Sequence, residues 1–205
     1  ETSTYSVLRT VYQSSFSGKK AKAAPAGQAD FDAAIAAALK ASPVPMTLLK
    51  GGVPPITALV TQVEVNGDNV TYGSADRTST TFNQGVLVAT RGLGNDLMSS
   101  DTSQTIALIT ARKSGSAQRI MRFLDGDDII FDINFTCAIS KGGSVKISAG
   151  EIEATGLEMT ETCQSGTRSI QNTYVVGRDG DVLKSNQWFS PARGNVDIQP
   201  VRLAE

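Results

Sequence analysis

Histidine is absent from this sequence. That removes the side chain that most often serves as general base and metal ligand near neutral pH. A Ser-His-Asp triad, a Cys-His dyad and any zinc site that needs imidazole are excluded within the chain. Carboxylate and lysine chemistry stay open. Aromatic residues make up only 6% of the chain, and Trp188 is the single tryptophan. Neither sign of charge is in surplus: 19 Lys and Arg against 20 Asp and Glu give a net charge of -1. No global basic excess exists to drive binding to nucleic acid or to an anionic membrane surface. No run is apolar for long enough to cross a bilayer, and no basic-plus-apolar leader opens the chain. The opening Glu1-Thr2-Ser3 is compatible with a mature chain whose export signal has been removed. Cysteine is limited to Cys137 and Cys163, at a spacing that fits no CxxC redox or metal pattern. In an oxidising compartment such a pair reads as one disulfide, and in the cytosol as two free thiols.

What is present suits one domain. The 205 residues, 40% of them hydrophobic, are enough to bury a sizeable core. Residues 1–45 read as helical and flanking, and residues 46–205 as β. Tyr5, Leu8, Val11 and Tyr12 fall at helical spacing, and residues 14–20 read as a loop. A stronger helix follows. Asp30 is a candidate N-cap, Phe31 to Ala41 is alanine-rich, and Phe31, Ile35, Ala38 and Leu39 share one face until Pro43 and Pro45 end it. From about residue 46 the pattern turns to period two. Val60 to Val65 and Val70 to Tyr72 flank Asn66-Gly67-Asp68-Asn69, a strong hairpin signal. Val86 to Thr90, Gln118 to Leu124, Asp128 to Ile139, Ser144 to Ile147, Ile152 to Cys163, Asn172 to Gly177 and Val182 to Phe189 extend the series of strands. Turns are expected at Asp125-Gly126-Asp127, Lys141-Gly142-Gly143-Ser144 and Arg178-Asp179-Gly180-Asp181, and Ser103 to Ala111 fits a strand or a short helix. Consecutive strands on short connections favour an antiparallel meander, because parallel pairs need long crossovers.

Few segments carry chemistry. Arg91-Gly92-Leu93-Gly94-Asn95-Asp96-Leu97 resembles the start of a phosphate loop, but Leu97 stands where the third glycine belongs and no βαβ unit surrounds it. It reads instead as a glycine-permitted turn with Arg91 and Asp96 placed for a local ion pair. Asp125-Gly126-Asp127-Asp128 lacks the spacing and closing glutamate of an EF-hand and reads as a hairpin turn. Glu151 and Glu153 would share one face of a strand, where neighbouring carboxylates are usually a solvated surface and not a glycosidase pair; Glu158 and Glu161 read the same way. Trp188, beside Gln187, is the natural candidate for stacking on a sugar ring, with core packing as the commoner use.

Three of these segments together resemble a known family. Thr90-Arg91-Gly92-Leu93-Gly94-Asn95-Asp96-Leu97 is similar to the T-x-G-L-x-x-D-L segment of the GfcB/YjbF group 4 capsule lipoproteins. Phe123-Leu124-Asp125-Gly126 is similar to their aromatic-L-D-G turn, and Ser185 to Gly194 to their S-x-Q-W-x-x-P-x-x-G run. The resemblance spans roughly residues 46–203. It implies a mainly β fold, a large antiparallel meander sheet that can curl toward a partly open barrel, to which the reading of the residues adds one or two short N-terminal helices. It implies Cys137 and Cys163 in a disulfide, and an exported lipoprotein at the periplasmic face of the outer membrane of a Gram-negative bacterium. The lipidated cysteine is not in this chain, so the anchor is implied by the family alone. The expected role is an accessory one in exopolysaccharide or capsule production and secretion, binding polysaccharide (an acidic exopolysaccharide in the first instance) or an export protein, with no catalytic residues, no cofactor, no metal and no nucleic acid. Arg91, Asp96, Gln187 and Trp188 are the expected binding surface. A carboxylate-using polysaccharide-modifying enzyme and a purely structural periplasmic scaffold are the alternatives.

Overall fold

The computed structural model describes residues 28–124 and 129–203. The expected helix around Tyr5 to Tyr12, the loop at 14–20 and the Asp125 to Asp128 turn lie outside the described residues. Helix α1 (Gln28–Ala41) is followed by strands β1 (Met46–Gly51), β2 (Ile56–Asn66), β3 (Asn69–Gly73), β4 (Ser79–Asn83), β5 (Val86–Arg91) and β6 (Leu97–Asp101). Helix α2 (Ser103–Thr110) then precedes β7 (Gly115–Leu124), β8 (Ile130–Ala149), β9 (Ile152–Ser165), β10 (Arg168–Val176), β11 (Val182–Ser190) and β12 (Gly194–Arg202). The segment that fitted strand or helix is thus helical, with Thr105 and Ile109, one turn apart, buried. The expected strands are present, and the helix expected from Asp30 begins two residues earlier, at Gln28.

All twelve strands form one antiparallel sheet in the order β5-β4-β3-β2-β1-β12-β11-β10-β9-β8-β7-β6. Every strand pairs with its sequence neighbour except β5 with β6, while β1 pairs with β12 through partners such as Leu49 and Ile198. The two edges of the sheet are therefore consecutive in the chain, and the sheet curls until they face each other as a nearly closed barrel. Strict alternation fills the interior. On β7, Ala117, Arg119, Met121 and Phe123 are buried between exposed neighbours, and on β8 so are Ile133, Phe135, Cys137 and Ile139.

The stretch expected to turn at Lys141-Gly142-Gly143-Ser144 does not turn. It is a register shift inside β8, a 20-residue strand, and the chain reverses only at Gly150 and Glu151. A bulge bends its strand and sharpens the twist. Beyond it the β8–β9 hairpin lies over the outer side of the barrel, where Ile147 and Ile152 bury Val175 and Leu183. The tip sits so close to β12 that a Cβ on Gly150, at φ +59, would stand 2.4 Å from the Val201 carbonyl oxygen. Glu151 consequently lies in the turn and Glu153 in β9, so the two do not share a strand face as expected. Helix α1 covers another outer region, with Ile35, Ala38 and Leu39 against Met46, Leu59 and Val201.

Candidate functional site

In an up-and-down barrel, alternate connections fall at opposite ends. One end gathers the connections at 52–55, 74–78, 92–96 and 191–193. Arg193, 8% exposed, closes it: Nη1 donates to the Pro54 carbonyl at 3.0 Å and Nη2 to the Leu93 carbonyl. The other end gathers the turns at 67–68, 84–85 and 177–181 with helix α2 and Leu203. It holds a cleft of about 420 Å3. Tyr72 and Phe82, edge to face with centroids 6.1 Å apart, form its apolar wall with Ile198 and Val182, and Asp68, Asp179 and Asp181 stand among its lining residues. Burial pushes the Tyr72 phenol up, opposed by a side-chain hydrogen bond with Thr47. Burial, and then the neighbouring Asp179, raises the Asp181 carboxyl above its ordinary value.

Between the ends runs a buried polar network. Arg119 on β7 and Glu161 on β9 are paired at 2.9 Å with both side chains at 0% exposure. Glu161 also accepts from Thr105 of α2 (2.8 Å), Asn172 (2.7 Å) and Tyr174 (2.9 Å). Burial is the largest influence and opposes the charge on Arg119, but the Glu161 carboxylate and the Tyr174 phenol together outweigh it and the net shift is upward. Burial and the same carboxylate lift the Tyr174 phenol well above its ordinary range. Cys137 and Cys163 face each other across β8 and β9 and form a disulfide. The Glu161 carboxylate and the two sulfurs lie within 4.8 Å of one another, yet with both sulfurs spent on the disulfide no thiolate remains there to bind a metal.

Of the four residues expected to form a binding surface, Gln187, Arg91 and Asp96 serve strand β5, and Trp188 packs in the core. Gln187, fully buried, accepts from the Leu87 N–H at 2.8 Å and donates to the Gly85 carbonyl at 2.7 Å. The Leu87 carbonyl in turn accepts from Arg119 at 3.1 Å. At the far end of β5, Arg91 and Asp96 do not form the expected ion pair. Arg91 donates to the carbonyls of Thr90, Leu97 and Met98. Asp96 accepts from the Thr90 hydroxyl and from the N–H groups of Gly92 and Leu93, and the Leu97 N–H donates back to Thr90 Oγ1 at 3.0 Å. Side chains thus bridge the one seam that lacks a strand ladder. Trp188 is 7% exposed, its ring edge-on to Phe123 and Phe135 with Arg168 over its face. Neither Gln187 nor Trp188 lines the cleft.

Sequence reasoning passed over Arg119, and it read Glu161 as solvated surface although the side chain is fully buried; Tyr72 and Phe82 were passed over as well. A signal existed for the first two: each occupies the apolar phase of its strand, in Ala117-Arg119-Met121 and Met159-Glu161-Cys163. Opposite charges in the buried phase of two nearby strands have to find each other.

The sequence model of the family described as group 4 capsule polysaccharide lipoprotein gfcB, YjbF, matches residues 18–201. Comparison with curated proteins gives no match. Among solved structures, the hypothetical lipoprotein YmcC from Escherichia coli (K12) is similar over 89% of this chain and 100% of that one, with a TM-score of 0.73 and 17% identity. That likeness supports the barrel alone. The match over most of the sequence goes further, and this chain belongs to the group 4 capsule polysaccharide lipoprotein family.

Proposed function

We propose that this protein is a non-catalytic accessory factor in capsule or exopolysaccharide production or secretion, acting at the periplasmic face of the outer membrane by holding polysaccharide or an export protein. The observation that carries the reading is the family match across residues 18–201. The cleft at one end of the barrel supplies a concave surface of the size usual for ligand sites, about 300–1,000 Å3. The state of the acidic groups supports the absence of catalysis. Glu161 is the one buried carboxylate among the described residues, and Arg119, Thr105, Asn172 and Tyr174 already occupy it. Asp179 and Asp181 belong to a single turn, whereas a glycosidase pair must flank the bond it cleaves. The disulfide fits an oxidising compartment such as the periplasm.

The burial of Trp188 favours a second reading, a scaffold without sugar contact. Deleting the gene and measuring secreted polysaccharide and its intracellular precursors tests the role. Secretion is expected to fall, and normal output would overturn it. Incubating the purified protein with the polysaccharide tests catalysis: no new reducing or unsaturated ends are expected, and their appearance would make the protein an enzyme.

A further inference from the structure

We propose that the cleft at the open end of the barrel binds an uncharged saccharide segment and rejects uronate- or phosphate-bearing chains; this deepens the proposed role in polysaccharide handling and rests on it. Three features of the lining point the same way. First, Tyr72 and Phe82 give the cleft an aromatic wall, and the C–H face of a sugar ring packs on such a surface. Second, Ser185 lines the cleft at 2% exposure. Its Oγ already accepts from Gln187 Nε2 at 2.9 Å, so its own proton is left to donate to a ligand oxygen. Third, among the described residues the lining contains Asp68, Asp179 and Asp181 and no Lys or Arg. Carboxylates accept hydrogen bonds and donate none. They suit the hydroxyl donors of a neutral sugar and repel a carboxylate or phosphate, which finds no cation here to pair with. This charge pattern runs against the acidic exopolysaccharide expected from the sequence.

The test uses the full chain against an immobilised panel of neutral oligosaccharides of several ring types, each with its uronate counterpart. Retention of at least one neutral member and of no uronate is expected. Tyr72→Ala, checked for folding by circular dichroism, should bind the retained sugar about tenfold more weakly or worse. The exposed pair Asp68→Lys and Asp179→Lys, which leaves the barrel core untouched, should admit the uronate. Retention of uronates by the unaltered chain, retention of no neutral sugar, or neutral binding untouched by both variants would each overturn the inference. The two readings fail separately. Absent saccharide binding with lowered secretion in the deletion strain removes the cleft and leaves the accessory role, while normal secretion removes the role whatever the cleft binds.

Discussion

Arg119 and Glu161 occupy strand positions whose neighbours in the same phase are alanine, methionine and cysteine. Taking two such charges out of water costs several kcal/mol per ion, and their attraction offsets this only when the remaining hydrogen-bonding groups are also satisfied. Here most are: four donors converge on Glu161, and Arg119 reaches the Leu87 carbonyl. The asymmetry between breaking and replacing such a pair gives a prediction. Arg119→Met strands a buried carboxylate and is expected to cost about 3–5 kcal/mol in urea unfolding. Adding Glu161→Leu should recover part of that loss, although Thr105, Asn172 and Tyr174 then lack their acceptor, at about 1–3 kcal/mol for each one left unpaired. A double variant as unstable as the sum of the two singles would show that the pair is not coupled in this way.

At the scale of elements, the seam between β5 and β6 is the weak line of the barrel, since side chains stand in for a ladder. Asp96 is central to it, accepting three hydrogen bonds within one loop. Asp96→Ala is expected to cost about 1.5–3 kcal/mol, the range for hydrogen bonds to a charged group. Amide exchange should rise first in Val86–Arg91 and Leu97–Asp101. Equal acceleration in β9 and β10 would mean that the loop does not govern the seam. The legibility of the fold followed the range of the forces involved. The hairpin at Asn66 to Asn69 could be read because its turn chemistry is local, with Gly67 at φ +57. Gly142-Gly143 had the same local signal and was misread, because docking of the distant hairpin on Val175, Leu183 and Val201 decides its conformation. The run through Arg91 and Asp96 could be read as a glycine-permitted turn, but its task of closing a sheet depends on which strands become the edges. The cleft was invisible for the same reason: Asp68, Tyr72 and Asp181 meet only after the sheet curls.

For the whole molecule, one side chain near the end of the last strand joins the two outer layers. Arg202 donates to the Leu39 and Ser42 carbonyls at the end of α1 and to both oxygens of Glu151 at the tip of the β8–β9 hairpin. The outer helix and the outer hairpin thereby share one polar anchor on β12, beside their separate apolar contacts. Glu151 is held below the usual carboxylate range by that hydrogen bond with Arg202. Arg202→Ala should raise amide exchange at Ala38–Ala41 and at 150–152 together, leaving β3 and β4 unchanged. Exchange that rises in only one of the two segments would show that they are held independently.

The burial of Trp188 makes the molecule its own optical gauge. Its indole sits against Phe123 and Phe135, away from the cleft, and no other tryptophan competes with it. Its fluorescence should be blue-shifted in the native protein and move to the red on denaturation. Because the ring does not border the cleft, the signal follows the integrity of the interior through a titration that fills the open end.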